Sequence, residues 1–434
     1  MVSVAPVTFG QLSVLRSTEF TGPRGESSPD LTLAFPLPDG MDLEQINGIW
    51  SEILRLNESL RTVYDRRPAE PLQIVQPVPD VKLGFVELPD DSSDAALEAA
   101  AEIAQEPFRI DVEHPCRAVI GTHKGMPRFL ISVLHHMAVD HAACVLLEDQ
   151  FNALAAGNEL TPGPQPVQLA LEQRSDLDQR QATIDYWGDA WDEFVEDDRI
   201  PGDTSRRLRA DMYTKAGMEA ANQIAARLNI SVQSVILGAA ALSLFRLKGR
   251  ESITFGLISS NRFDRRWEKI VSSMNQLTPL TVSAAQGMRL EDFLRGTYLS
   301  SLDVYAYGCY DVDALRTALE GRGHQDPDPM NFNCFYNFLG DAGEAPSDGD
   351  PLLSTVVWRN AVRQEGPRFH LRVATGEGMH VVAAASHEYL PAELLAAFPP
   401  ALEAALVHMA SGTSGSIDEV DLTPRRPIPG PPAF

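Results

Sequence analysis

The strongest constraint on the fold is a proline-rich break that lies well before the middle of the chain. Residues 155–176, AAGNELTPGPQPVQLALEQRSD, are mostly polar and include three prolines and two glycines, a composition that favours turns and loops. The 434 residues are also too many for one ordinary hydrophobic core. We therefore predict two domains, residues 1–165 and 166–434, with a linker near residues 160–181.

Strands and helices are predicted on both sides of this break. In the first part, residues 42–60 space their apolar side chains at a helical period, and residues 127–134 place Phe129, Ile131 and Val133 on one face of a strand. Both parts mix the two element types in a similar way, which predicts an α/β (α+β) fold.

The second part begins after the break with a similar pattern. Residues 231–247, SVQSVILGAAALSLFRL, predict an apolar helix, and residues 251–260, ESITFGLISS, predict a strand. A late helix is expected over residues 391–410, interrupted by a pair of prolines.

Charge and composition exclude several classes of partner. The formal net charge of −24 argues against nucleic acid, because phosphate backbones require a cationic face. No apolar run approaches the ~18 residues of a membrane-spanning helix, and the N-terminus lacks the basic region of a signal peptide. The four cysteines are scattered and form no CxxC pair, which favours a reducing compartment. We expect a cytoplasmic monomer.

Two local basic clusters stand out in this acidic chain. Each forms either a cationic patch or a group of solvated loop residues. The clusters are Arg206, Arg207 and Arg209, and Arg262, Arg265 and Arg266.

The segment HHMAVDH concentrates four chemically active side chains, His135, His136, Asp140 and His141, between an apolar run and an amphipathic one. A metal site is one interpretation, but adjacent histidines at a strand end point to opposite sides. Only His136 could converge with Asp140 or His141, and no HExxH motif is present, so no metal is expected.

Two other interpretations of this segment stay open. Asp140 stands where a helix N-cap is expected, so the histidines can be corner residues bonded to backbone groups. Alternatively, a histidine serves in proton transfer or substrate positioning, for which imidazole is well matched near neutral pH. The chain has no G-x-S-x-G elbow, P-loop or G-x-G-x-x-G motif, which disfavours a serine acyl-enzyme or a nucleotide cofactor.

HHMAVDH resembles the HHxxxDG motif of the condensation domains of nonribosomal peptide synthetases. Further segments resemble other motifs of that family and occur in the family's order along nearly the whole chain. These segments are VTFGQLSVL, LRTVYDRRPAEPLQIVQP, IDYW, ITFGLISSNRFDRRWEKIVSSMNQLTPLTV, NFNCFYNFLG and HEYLPAELL.

The resemblance implies two chloramphenicol acetyltransferase-like lobes arranged as a V around a central tunnel. A carrier protein supplies its phosphopantetheine arm from one side, a small-molecule nucleophile enters from the other, and no cofactor is bound. By the resemblance, His136 orients or deprotonates the nucleophile, while His135 and Asp140 support the site and Asp140 pairs with Arg262.

The chain departs from the family pattern at two places near the site. His141 replaces the glycine that follows the motif aspartate, so an imidazole is expected to narrow the donor path or add a polar contact there. The segment MNQLTPL has one additional residue before its proline, so Asn275 and Gln276 are both candidates for the tunnel-lining asparagine.

The resemblance as a whole implies a free-standing condensation enzyme of natural-product (antibiotic) biosynthesis. It would join an acyl or aminoacyl thioester on an acyl or peptidyl carrier protein to an amine or hydroxyl, forming an amide or an ester. The alternatives are a catalytically silent domain of this fold that recruits a tailoring enzyme, and a coenzyme A-dependent acyltransferase of the HxxxD superfamily. The late motif of the plant-type coenzyme A enzymes has no match here.

Overall fold

The computed structural model describes residues 3–21, 30–194, 206–325, 327–330, 332–341, 345–363, 367–412 and 415–430. The chain divides into two units. Unit 1 comprises Met1–Gln181, Ser260–Gln276 and Cys309–Val312, and unit 2 comprises Ala182–Ser259, Leu277–Gly308 and Asp313–Phe434. The chain therefore returns to unit 1 twice, whereas the sequence predicted one crossing at residue 165. The predicted V with a central tunnel stays a prediction.

Unit 1 contains two sheets and the helices that pack with them. In chain order its elements are β1 (Ser3–Pro6), α1 (Phe9–Thr21), β2 (Asp30–Pro36), α2 (Leu43–Leu56), β3 (Thr62–Asp65), β4 (Leu72–Val75), β5 (Gly84–Glu87), α3 (Ser93–Ile103), β6 (Cys116–His123), β7 (Met126–His135), α4 (His141–Ala155), α5 (Pro166–Ser175) and the start of α6 (Leu177–Asp192). One sheet has the order β2–β7–β6–β5, with β5 parallel to β6, and the other has the antiparallel order β1–β4–β3.

Strand β7 lies at the centre of unit 1 because both of its faces are buried. Phe129, Ile131 and Val133 pack with the alanine-rich face of α3, which confirms the strand face predicted from the sequence. Leu130 and Leu134 pack in a second cluster with residues of α2 and α4. A strand buried on both faces explains the continuous apolar run that precedes the histidines.

The predicted linker is irregular only in its first part. Residues 157–165 form neither helix nor strand, and α5 begins at Pro166, where the missing backbone N–H is not needed. Leu169 and Ala170 of α5 are buried, and burial of these apolar groups stabilises the helix.

Unit 2 is built on a seven-stranded sheet. Its further elements are β8 (Arg206–Thr214), α7 (Lys215–Leu228), α8 (Val232–Lys248), β9 (Ser252–Ser259), β10 (Gln276–Ser283), α9 (Leu290–Ala306), α10 (Val312–Gly321), β11 (Cys334–Asp341), β12 (Val357–Arg363), β13 (Phe369–Thr375), β14 (Met379–Ser386) and α11 (Ala392–Ala410). The strand order is β10–β9–β11–β13–β14–β8–β12. The basic cluster from Arg206 to Arg209 lies on β8, so interpreting it as loop residues is wrong.

Helix α11 corrects a second expectation. It runs without interruption through Pro399 and Pro400, where the sequence predicted a break. Its residues Leu395, Phe398 and Leu402 are buried in the core of unit 2. Packing of this apolar surface outweighs the loss of backbone hydrogen bonds at the two prolines.

Within the described ranges, no single helix is long and apolar enough to cross a membrane. Helices α7 and α8, bent by 113° at their break, pass the same test only as a pair, by length and composition.

The segment of residues 260–276 packs closely on the start of α1 in unit 1. A Cβ atom on Gly10 would lie 2.5 Å from the carbonyl oxygen of Ser273 and 2.7 Å from Cα of Met274. Both neighbours are backbone atoms, so they cannot rotate away. Only glycine permits this approach.

Gly10→Ala is expected to destabilise unit 1 by about 1–3 kcal/mol, the usual range for overpacking. The matched control is Gly48→Ala in α2, where an added Cβ meets nothing within 4 Å and alanine is the better helix former. Urea unfolding of parent and variants, followed by circular dichroism, measures both effects. If Gly10→Ala unfolds at the same urea concentration as Gly48→Ala, the close approach is wrong.

Candidate active site

The turn after β7 is held in place by hydrogen bonds to its backbone. The backbone N–H of His135 donates to the Pro115 carbonyl, and the N–H of Ala138 donates to the carbonyl of His135. The hydroxyl of Tyr64 donates to the Met137 carbonyl over 3.2 Å. These bonds fix the direction in which the histidines leave the strand.

Asp140 ends this turn and begins α4. It is the N-cap residue, with Oδ1 accepting from the backbone N–H of Ala143 at 2.9 Å. Its Oδ2 accepts from the backbone N–H groups of Met274 at 2.9 Å and Asn275 at 3.3 Å. The carboxylate thus joins the turn to the segment of residues 260–276, a link that an N-cap alone would not make.

Arg262 forms the predicted ion pair with Asp140. Nη1 lies 2.7 Å from Oδ2 and Nη2 lies 2.8 Å from Oδ1, a two-point contact. The side chains are only 8% and 3% exposed. The guanidinium also donates to the carbonyls of Ser260 at 3.2 Å and Ser272 at 3.0 Å. The second basic cluster is therefore partly structural, because its first arginine is a buried organising group.

His135 is a buried neutral histidine. Its Nδ1 accepts from the backbone N–H of Met137 at 3.1 Å, and its ring packs edge-on against Phe108. Burial lowers the pKa of His135 to about 3, with smaller contributions from the charges of His136 and Arg66. A ring held neutral with one nitrogen occupied by a backbone donor is suited to support the turn.

His136 is half-buried, and it is the histidine that contacts the segment of residues 260–276. Its Nδ1 lies 3.4 Å from the hydroxyl oxygen of Ser273. That hydroxyl donates to Oδ1 of Asn275 over 3.4 Å. The one proton of the hydroxyl can serve only one of these two contacts at a time. When it is given to Asn275, Nδ1 of His136 is the donor to Ser273 and Nε2 keeps its lone pair.

The two candidates for the asparagine position lie in different surroundings. Gln276 is buried, and its amide donates to Ser13 Oγ and to the Tyr310 carbonyl, each over 2.8 Å. Its Oε1 accepts from the backbone N–H of Tyr310 at 3.2 Å. Asn275 is half-buried. His141 begins α4 with an exposed side chain.

The sequence did not single out Ser273 or Tyr64. Both lie inside the segments quoted for the family resemblance, but a serine and a tyrosine carry no motif of their own. Only contacts across 137 positions for Ser273 and 73 for Tyr64 reveal their link to the turn. Across the described residues, no group of three or more His, Cys, Asp or Glu side chains could hold a metal ion.

The fold is mixed α/β, and the site combines a buried aspartate–arginine pair with a half-buried histidine. A comparison with known protein families points to one of them. The Condensation domain family model matches residues 24–356. This is more than half of the chain, and the chain therefore belongs to the condensation domain family.

Known proteins of this kind are distant in sequence. Tyrocidine synthase 3 of Brevibacillus parabrevis is 23% identical over 351 residues, which make up 78% of this chain and 5% of that protein. The chain thus spans a small part of the curated relatives that it matches.

Solved structures share the fold. The condensation domain of the monacolin K polyketide synthase superposes with a TM-score of 0.76 at 16% identity, covering 96% of this chain and 99% of that one. A structure that describes condensation domain-mediated chain release from the enacyloxin polyketide synthase gives 0.74 at 19% identity, covering 92% and 82%. The X-domain bound to OxyB from teicoplanin biosynthesis gives 0.75 at 13%, covering 96% of each chain. The predicted chloramphenicol acetyltransferase-like fold is confirmed.

Asp140→Asn is expected to destabilise unit 1 by about 3–5 kcal/mol, because Arg262 would be left buried without a counter-charge. The control is Asp264→Asn, which removes an exposed carboxylate from its pair with Arg266 and should change stability little. Denaturant unfolding measures the difference. A loss of only about 1 kcal/mol would leave Asp140 with the role of a helix cap alone.

His135 should make the stability of unit 1 depend on pH. The unfolded chain binds a proton at this histidine near its ordinary pKa of ~6.5, whereas the folded chain does not until about 3. Stability is therefore full above pH ~6.5 and falls toward pH 3, by at most about 1.4 kcal/mol per pH unit.

His135→Asn retains an acceptor for the Met137 N–H but removes this titration. Urea unfolding at several values between pH 4 and pH 7 should give a shallower pH dependence for the variant than for the parent. Parallel curves for the two proteins would contradict a buried neutral His135.

Proposed function

We propose that this condensation domain transfers an acyl or aminoacyl group from a carrier-protein thioester to an amine or hydroxyl of a small molecule. The product is an amide or an ester in natural-product biosynthesis. The observation that carries the proposal is the position of His136, half-buried at the turn and bonded through Nδ1 to Ser273. The carrier protein supplies the phosphopantetheine arm, and the domain supplies no cofactor of its own.

His136 is proposed as the proton acceptor. With Nδ1 donating to Ser273, the lone pair of Nε2 accepts the proton of the attacking amine or hydroxyl. His135 does not compete for this role, because it is buried, neutral and occupied by the Met137 N–H. One histidine of the pair thus supports the turn and the other performs chemistry.

The proposed reaction balances without a further reagent. The nucleophile forms a bond to the thioester carbonyl carbon, the carbon–sulfur bond breaks, and the proton taken by His136 returns to the leaving thiolate. Most of the acceleration is expected from holding two bound reactants together, with the proton transfer adding about 10²–10⁴-fold.

Asn275 is the better candidate to line the substrate path. Its side chain is half-buried, and one of its atoms already contacts Ser273. Gln276 instead uses its amide on Ser13 and Tyr310. His141 is proposed to lie along the donor path, where it replaces the family's glycine. The free-standing condition of the enzyme stays a prediction.

A silent recruitment domain is the second candidate, favoured by the likeness in fold to the teicoplanin X-domain. A recruiter needs no proton acceptor, and its function would lie on its outer surface. A coenzyme A-dependent enzyme would use the same histidine with a soluble donor.

Single-turnover transfer from acyl-carrier thioesters, followed by intact mass, tests these functions. His136→Ala should slow transfer about 10²–10⁴-fold, whereas His141→Gly should retain activity and accept bulkier donors. Acyl-coenzyme A in place of the carrier thioester tests whether the protein is a coenzyme A-dependent acyltransferase. Equal rates for the parent and both variants, at the level without protein, would favour the recruiter.

Ser273→Ala should lower the transfer rate about fivefold, since one hydrogen bond is worth about 1 kcal/mol. It should also change the pH profile of the rate, because Ser273 contacts the histidine that is proposed as the proton acceptor. The matched control is Ser272→Ala, which removes a buried neighbouring hydroxyl whose one bond within the described part of the chain goes to the Ser273 carbonyl. An identical effect of both variants would indicate that Ser273 supports structure alone.

A further inference from the structure

One face of the unit 2 sheet packs in the hydrophobic core, and the opposite face carries charged side chains. On β8, Leu208, Ala210 and Met212 belong to the hydrophobic core. The alternating residues point to the opposite face, because successive side chains of a strand alternate. They include Arg209 and Asp211.

The strands beside β8 add basic side chains to the same face. The register places Arg209 opposite Arg359 of β12 and opposite Ala384 of β14, and Ala384 opposite His370 of β13. We call this surface the arginine face. Its described members are Arg207, Arg209, Asp211, Arg359, His370, Arg372 and His380.

Asp211 is the carboxylate of the arginine face, and its oxygens already contact other members of that face. Its oxygens accept from Arg209 at 2.7 and 2.5 Å, and its Oδ2 lies 3.8 Å from Arg359 and 3.5 Å from His380. It is 1% exposed, whereas Arg209 is 32% and Arg359 is 47% exposed. One buried carboxylate therefore serves several cations that reach solvent.

Arg372 makes no direct contact with this carboxylate. Among the residues that the structure describes, it makes no hydrogen bond and no ion pair, although the charge of Asp211 acts on it from a distance. Burial lowers the pKa of the Arg372 guanidinium, and the charge of Arg209 lowers it further, whereas the charge of Asp211 offsets part of this decrease. A half-buried guanidinium beside a like charge is unfavourable unless an anion binds.

His370 provides a neutral donor beside Arg372. In the described part of the chain its buried Nε2 has no hydrogen-bond partner, and its ring packs edge-on against Phe335 at 6.1 Å. Burial lowers the pKa of His370 to about 4, so the ring is neutral near pH 7. Between His370 and Arg209 the sheet carries only the small Ala384, which leaves room for a ligand atom.

We propose that the arginine face binds an oxyanion, a carboxylate or a phosphate monoester, through Arg372 with His370, which lies two residues away on the same face of β13. An arginine fork matches the two oxygens of either group, and both groups add negative charge to a surface on which Asp211 is the one described carboxylate beside Arg209, Arg359 and Arg372. Assigning the anion to a substrate of acyl transfer rests on the proposed function, whereas its binding does not.

Isothermal titration calorimetry of the whole chain, with benzoate, neutral benzamide and inorganic phosphate as probes, tests the site. The parent should bind benzoate or phosphate saturably and should not bind benzamide. Tighter benzoate binding would indicate a carboxylate ligand, and tighter phosphate binding would indicate a phosphate monoester. Arg372→Gln should weaken binding at least tenfold.

Two further variants make the outcome decisive. His370→Leu should also weaken binding, which keeps the test valid if Arg372→Gln does not fold. Arg425→Gln, which removes an exposed arginine outside the face, should bind as the parent does. Absence of saturable anion binding to the parent, or equal affinity in all variants, would overturn the proposal.

Acyl transfer, measured separately, distinguishes the two proposals. Anion binding without any transfer would support the arginine face and contradict the proposed function. Transfer without anion binding would support the proposed function and contradict the arginine face as an anion site.

Discussion

The buried pair of Asp140 and Arg262 is the interaction on which the candidate site depends. One carboxylate caps α4 and receives two backbone N–H groups from the segment of residues 260–276. It also neutralises an arginine that is itself bonded to three carbonyls of that segment. Such a pair is not a strong source of stability, because desolvation offsets much of the attraction. Its value lies in geometry: it holds His136 against Ser273.

The sequence predicted the parts of this site that follow from local rules. A strand that is apolar on both faces, a turn and an N-cap aspartate all have short-range signals, and the structure contains them near the expected residues. The contact of Asp140 with Arg262 came from the family resemblance, since no local rule joins residues 122 positions apart. The roles of Ser273 and Tyr64 were missed for the same reason.

Other expectations failed where tertiary packing overrides local preference. The two prolines of α11 predicted a break, yet the helix continues because its apolar residues are buried along its length. A cluster of arginines suggested a loop, yet it lies on a strand whose other side chains belong to the core. Charged residues at alternate positions can be recognised as one face of a strand only when the buried face of that strand is known.

Unit 1 is interrupted in sequence by residues of unit 2, and this affects how the chain folds during its synthesis on the ribosome. A ribosome completes residue 181 long before residue 262, so the nascent first segment holds Asp140 without its arginine. Until the segment of residues 260–276 emerges, the carboxylate has to stay hydrated, and the turn is held only by its bonds to Tyr64 and Pro115. Completion of unit 1 therefore depends on a contact of high sequence separation, and such contacts are expected to slow folding. A fragment ending at residue 181 would lack Arg262, Ser273 and Asn275, the part of the candidate site that lies in residues 260–276.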